Sequence, residues 1–266
     1  MMGDITLGQY YPGDSPLHKA DPRVKILMSL ALMIIVFVID NLLCLSFALV
    51  FSVFAVMVSK VPLSYAFKGL KPVLIIILFT MVLNVFFSEG TPLFTVWKFT
   101  VTYEGLMRAV RTALRITVLI TGSSLVTLTT TPIMLTDAIE KLLNPLKKIK
   151  VPVHEIAMMM SIALRFIPVL MEETQKIIKA QTARGADFDT GNLFQKAKSF
   201  IPVLVPLFIS AFRRADDLAT AMEARCYRGG ENRTRLKQLK MTKMDLYVSF
   251  VFVSVMLLIM LADFFL

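Results

Sequence analysis

Two arginines invite a chemical reading. Arg184 lies in Ala183-Arg184-Gly185-Ala186-Asp187, and Arg225 lies in Ala224-Arg225-Cys226-Tyr227-Arg228-Gly229-Gly230. Each cluster follows a copy of one pentapeptide, Phe166-Ile-Pro-Val-Leu170 and Phe200-Ile-Pro-Val-Leu204, and then a long helical pattern. Two copies are too few for a solenoid, so the reading is one device used twice, against two similar partners. A planar guanidinium pairs bidentately with a carboxylate, which suits arginine to docking at a protein interface. A single arginine at a helix end is explained by the helix dipole alone. The repetition of the whole unit favours docking.

Other reactive residues fall in no working arrangement. Cys44 sits in an apolar run and Cys226 in a basic region, with no metal-ligand spacing between them and no basis for a disulfide. His18 and His154 stand apart, so no Ser-His-Asp or Cys-His grouping is suggested. The chain has no Gly-x-x-x-x-Gly-Lys-Ser/Thr run, so any nucleotide hydrolysis belongs to another polypeptide. Asp40 and Asp263 fall at a turn and near an end, so no acid lies deep in an apolar run, as a proton- or sodium-coupled carrier would require.

The elements that position the arginines follow from hydropathy. Hydrophobic residues make up 56% of the 266, and the mean hydropathy is +0.69, too apolar for an ordinary soluble domain. Asp21-Pro22 reads as a helix start, with Asp as N-cap and Pro at the first helical position. From Ile26 to Ser59 the sequence is apolar except at Asp40-Asn41, which fits two tight membrane spans with a turn there. Val73 to Phe87 supplies a third, short span. Ser88 to Gly105 reads as a mixed loop, with Trp97 and Tyr103 as interface anchors. Arg108, Arg111 and Arg115 share one helical face as a fourth span begins, placed to snorkel or to pack on a partner. The small, hydroxyl-rich stretch Thr121-Gly-Ser-Ser124 is expected to pack closely on another helix. Met244 to Phe265 makes a fifth span.

Charge sets the orientation. The net charge is +10, and between Asp137 and Lys243 nineteen Lys and Arg face eleven Asp and Glu. Lys/Arg asymmetry places this block, the 60–71 turn and the N-terminus in the cytoplasm, with Ser88 to Gly105 and Leu266 outside. No nucleic-acid-binding motif accompanies the basic balance. The expected fold is therefore all-α: a polytopic membrane protein with about five transmembrane helices and a cytoplasmic domain of long amphipathic helices. The expected segments are 1–136, 137–243 and 244–266.

Within the basic block, Ile156 to Lys179 is apolar first and amphipathic later, and Pro168 is expected to kink or break it. Met158, Met159, Met160, Phe166, Ile167 and Met171 form a flexible apolar surface able to repack against differently shaped partners. Leu204, Leu207, Phe208, Ala211, Phe212, Ala215, Leu218, Ala219 and Met222 form a single stripe on a helix from Val203 to Arg225.

Asp21-Pro22-Arg23-Val24-Lys25, Ala183-Arg184-Gly185 and Glu223-Ala224-Arg225-Cys226-Tyr227-Arg228-Gly229-Gly230 together resemble the transmembrane T component of energy-coupling-factor (ECF) transporters, the ATP-driven vitamin and metal importers of prokaryotes. The resemblance runs through essentially the whole chain. It implies a non-catalytic coupling subunit of the cell membrane that links two cytoplasmic ABC-type ATPases to a membrane-embedded substrate-binding subunit, with no cofactor of its own. It makes the amphipathic helices coupling helices. Ala183, Arg184, Gly185, Ala224, Arg225 and Cys226 become the ATPase-docking residues, and the methionine-rich surface becomes the contact with the substrate-binding subunit. Cys226 stands where the first motif has Gly185, so the second helix end is expected to be built differently. The competing readings are a conventional ABC-importer permease with its own pathway and a stand-alone secondary carrier.

Overall fold

The computed structural model describes residues 10–96, 99–188, 192–229 and 239–265; Trp97, Gly230 and Leu266 lie outside the described residues. The chain divides into two units, one of residues 1–141 with 238–266 and one of residues 142–237.

The first unit is a helical bundle. It contains α1 (Pro16–Lys19), α2 (Pro22–Val38), α3 (Leu42–Val58), α4 (Leu63–Lys68), α5 (Lys71–Phe87), α6 (Tyr103–Thr129) and α11 (Lys243–Phe265), and α7 (Pro132–Leu143) leads out of it. Asp21 caps α2 as its sequence predicts: the carboxylate accepts the Arg23 N–H at 2.9 Å, and Pro22 fills the first helical position. Asn41 caps α3 in the same way, accepting the Leu43 N–H at 3.0 Å, so the expected turn falls at Asp40-Asn41. Leu32, Val36, Ile39, Cys44, Leu45, Ala48, Val118, Phe252, Met256 and Ile259 form the core shared by α2, α3, α6 and α11.

The small-residue face of α6 packs as expected. Thr121 is buried, and a Cβ on Gly122 would lie 2.4 Å from Leu32 Cδ2 of α2. Ser124 Oγ would lie 2.9 Å from a Cβ on Gly69, at the approach to α5. A larger side chain at either glycine would force Leu32 or Ser124 to move, so glycine there permits the close approach.

Ser88 to Gly105 is not a plain loop. β1 (Pro92–Val96) and β2 (Phe99–Thr102) pair antiparallel, with Thr95 opposite Thr100 and Val96 opposite Phe99. The β-branched and aromatic residues of Leu93-Phe94-Thr95-Val96 and Phe99-Thr100-Val101-Thr102 outweigh Gly90 and Pro92. Thr102 closes the hairpin onto α6: its hydroxyl accepts the Gly105 N–H at 3.1 Å and donates to the Ser88 carbonyl at 3.0 Å. Glu104 accepts the Thr91 N–H at 2.8 Å.

The fold is that of an all-α membrane protein, with this hairpin as its β element among the described residues. Three helices are long and apolar enough to cross a bilayer: α6, α11 and α8 (Val153–Ala183). α2, α3 and α5 have 17 residues each, the lower limit for a span. α8 was expected within the basic block. Its apolar residues are concentrated toward its N-terminus, while its C-terminal half carries Glu172, Glu173, Lys176 and Lys179.

The second unit runs from a 3-10 turn (Asn144–Ile149) through α8, α9 (Leu193–Ser199) and α10 (Ile201–Ala224). α8 continues through Pro168 without a break. Proline removes one backbone donor, and the flanking turns hold the helix together on either side. The repeated pentapeptide thus has two roles, lying mid-helix in α8 and opening α10, where Pro202 falls in the first turn.

Candidate functional site

The two arginine clusters terminate α8 and α10, and the two ends are built alike. Arg184 is the C-cap of α8 (φ −88°, ψ 6°) and Arg225 that of α10 (φ −95°, ψ 15°). After Arg184, Gly185 N–H donates to Thr182 O at 2.9 Å and Ala186 N–H to Gln181 O at 3.0 Å. After Arg225, Cys226 N–H donates to Glu223 O at 2.9 Å and Tyr227 N–H to Met222 O at 3.0 Å. Both are the paired closure of a Schellman cap, in which the residue after the C-cap must be left-handed. Gly185 has φ +89° and Cys226 has φ +54°. The expectation that cysteine alters the second end is therefore corrected. Cys226 adopts the glycine-like conformation because the two cap bonds require it, at a steric cost that glycine does not bear.

This geometry fixes how the arginines are presented. Each side chain leaves a helix at the point where the carbonyls concentrate negative potential, which favours a cation there. Arg184 and Arg225 are both exposed, and neither forms an ion pair among the described residues. Glu173 accepts from Arg214 Nη2 at 3.0 Å, and Gln181 Nε2 donates to Pro202 O at 3.4 Å, so α8 and α10 run antiparallel. Arg184 accordingly lies near the start of α10 while Arg225 caps its end. Over 24 residues at ~1.5 Å each, the two arginines are separated by on the order of 35 Å.

The methionine-rich surface is only partly a single face. Met159, Met160 and Ile167 are exposed; Met158, Phe166 and Met171 are half-buried. At about 100° per residue, Met160, Ile167 and Met171 share a stripe of α8, while Met158 and Phe166 lie more than about 100° away from it. On α10, Leu207, Ala211, Leu218 and Met222 are half-buried, but Leu204, Phe208 and Phe212 are exposed, Phe212 at 68%. The apolar arc of α10 is wider than one neighbouring helix can cover.

Asp21-Pro22-Arg23-Val24-Lys25 forms a buried ionic knot whose key partner was not singled out in the sequence. Asp245, 2% exposed, accepts the Asp21 N–H and the Thr242 N–H, each at 2.6 Å. Arg23 chelates the Asp21 carboxylate, with Nη2 to Oδ2 at 2.7 Å, and also reaches Leu239 O at 3.3 Å. Lys25 Nζ donates to Thr129 O at 3.0 Å and Thr130 Oγ1 at 3.1 Å. Burial raises the Asp21 pKa, but hydrogen bonds from Arg23 and the charges of Arg23 and Lys25 outweigh it, leaving the carboxyl below its ordinary value. The knot pins the start of α2 to the start of α11, where the chain re-enters the first unit. The signal available in the sequence was an acid in the first turn of a largely apolar helix.

At the opposite ends of these helices, Arg115 terminates α2. Its Nε donates to Val36 O at 3.0 Å and its Nη2 to Ile39 O at 2.6 Å, with Asp40 Oδ1 at 3.3 Å. Of the three arginines expected at a boundary, Arg115 is thus a helix cap in trans. Arg111 lies 4.0 Å from Asp40, and Arg108 is exposed.

Comparison with known proteins agrees with this architecture. Residues 13–236 match the family described as "Cobalt transport protein" (CbiQ). The chain is 56% identical over 265 residues to the energy-coupling factor transporter transmembrane protein EcfT of Ruminiclostridium cellulolyticum, covering 99% of each chain. It is 60% identical over 252 residues to EcfT of Clostridium kluyveri (94% of this chain, 93% of that one). It is 48% identical over 246 residues to EcfT of Bacillus subtilis (92% and 93%). With matched family residues spanning both units, and relatives aligned nearly end to end, this chain belongs to the family of transmembrane T components of energy-coupling-factor transporters.

Proposed function

We propose that this chain is the non-catalytic coupling subunit of an ATP-driven importer, joining two cytoplasmic ABC-type ATPases to a membrane substrate-binding subunit for a vitamin or other micronutrient. The carrying observation is the pair of equivalent helix ends. One cap design presents one exposed arginine twice, on the order of 35 Å apart, a spacing suited to two similar grooves rather than one. Arg184 and Arg225 each pair with a groove carboxylate; Ala183 and Ala224 keep the approach uncrowded, and Gly185 and Cys226 turn the chain away. ATP is bound and hydrolysed on the partner subunits. The exposed side of α8 at Met159, Met160 and Ile167 meets the substrate-binding subunit, with Met158, Phe166 and Met171 beside or beneath it. The protein is a multi-pass component of the cell membrane with a cytoplasmic N-terminus. Segment 1–136 comprises the N-terminal lead-in and four transmembrane helices, 137–243 forms the cytoplasmic coupling domain, and 244–266 is the last transmembrane helix.

Two docking points on one chain raise each other's effective concentration, so losing one does not release both ATPases. Arg184→Glu or Arg225→Glu alone is expected to impair ATP-dependent uptake more than co-purification, and the double variant to lose both. Removing one partner of a desolvated charge pair costs ~2–5 kcal/mol, and lysine does not restore a bidentate fork. Normal uptake by the double variant would refute the coupling role.

A further inference from the structure

A cavity of about 370 Å³ lies among α1, α2, α3, α6 and α11 of the first unit. Its polar end is walled by Ala20, Lys25, Thr129 and Met244, and its deep end by Leu32, Phe51 and Phe252 of the core. From Lys25 to Leu32 the depth along α2 is roughly 10 Å. Phe54 and Tyr247, 58% and 65% exposed, also line it, so it opens on the flank of the bundle between α3 and α11.

Three of its polar lining groups are occupied within the protein. Lys25 Nζ has three acceptors, Ser52 Oγ donates to Ala48 O at 2.8 Å, and Thr129 Oγ1 donates to Leu125 O at 2.7 Å. Water needs two to four polar partners, whereas an apolar cavity of about 150 Å³ stays dry and takes up apolar guests. The rest of the lining is almost wholly apolar, so the cavity suits an apolar guest. For a protein in a bilayer, that guest is hydrocarbon. Exposed lysines adjoin two lining residues of the polar end in the chain: Lys19 precedes Ala20 and Lys243 precedes Met244. The only ion pair described for Lys19 is a 4.0 Å approach to the 97%-exposed Asp14. The nearby acids, Asp21 and Asp245, are committed to Arg23 and to backbone N–H groups. Lysines beside an apolar slot are the pattern of anionic-lipid recognition.

We propose that this cavity is a lipid site holding one acyl chain of an anionic phospholipid, with its phosphate between Lys19 and Lys243. The lipid completes the core between α3 and α11 and ties the α1–α2 segment to the start of α11.

Native mass spectrometry of the full-length chain from nanodiscs of mixed phosphatidylglycerol and phosphatidylcholine tests this. One phosphatidylglycerol is expected to survive activation that strips the remaining lipid. Ala55→Leu on α3 and Ser29→Leu on α2 each displace two to three methylenes and are expected to lower its retention roughly fifteen- to sixty-fold. The two variants guard against one misfolding, which circular dichroism and a monodisperse elution profile would reveal. Lys19→Gln with Lys243→Gln is expected to abolish the preference for phosphatidylglycerol. Undiminished retention in a folded cavity-filling variant, retention of both lipids in their bulk ratio, or a free fatty acid in place of a phospholipid would each overturn the proposal.

Discussion

The matched caps at Gly185 and Cys226 permit a reciprocal test. At Gly185, with φ +89°, an added Cβ meets nothing within 4 Å, so the penalty for Gly185→Ala is purely conformational. A left-handed non-glycine residue costs roughly 1–2 kcal/mol. Alanine recovers ~0.4–1 kcal/mol of that by restricting the open chain. The net is about 1 kcal/mol, or roughly a five-fold increase in opening of the helix end. Cys226 is exposed and pays this penalty already at φ +54°, so Cys226→Gly should close its cap by a similar factor. Hydrogen exchange reads the two directly, at the Ala186 amide bonded to Gln181 and the Tyr227 amide bonded to Met222. Ala186 should exchange about five-fold faster in Gly185→Ala, and Tyr227 several-fold slower in Cys226→Gly. If the capped form presents the arginine, ATPase affinity follows the same directions and changes by no more than the same factor. Unchanged exchange at both amides, or shifts of the same sign, would refute the cap argument.

Three further outcomes follow from the geometry. Asp245→Ala leaves the buried Asp21 N–H without its acceptor, at about 1–3 kcal/mol, and releases the more exposed Thr242 N–H, and should lower the thermal midpoint of the purified chain well below that of Asp245→Asn, which keeps one acceptor. In the chain expressed without partners, a membrane-impermeant maleimide should label exposed Cys226 in inverted vesicles and not in intact cells, while buried Cys44 stays unlabelled in both; labelling of Cys226 from outside would reverse the orientation. Met160→Gln with Ile167→Gln should weaken co-purification of the substrate-binding subunit and leave ATPase binding intact, and loss of the ATPases instead would show that the faces are misassigned.

Features set by local chemistry are legible in the residues alone. Apolar runs gave the helices of the first unit because hydrocarbon leaves backbone groups no partner but the helix itself. Asp21-Pro22 and Asn41 began helices because an N-cap bond reaches only two or three residues. Gly185 ended α8 because glycine enters the left-handed region without penalty. The hairpin was legible too, in the β-branched residues on either side of position 97, but was overshadowed by Gly90 and Pro92. The tertiary structure decided the rest. Asp245 reaches Asp21 across 224 residues, and Arg115 closes the end of α2 through the carbonyl of Ile39, 76 residues before it. No periodicity encodes such partners, because they depend on which helix ends come level in the folded bundle. Cys226 shows the same limit at short range: side-chain preference argued against a left-handed cysteine, and the two hydrogen bonds that close the end of α10 imposed it.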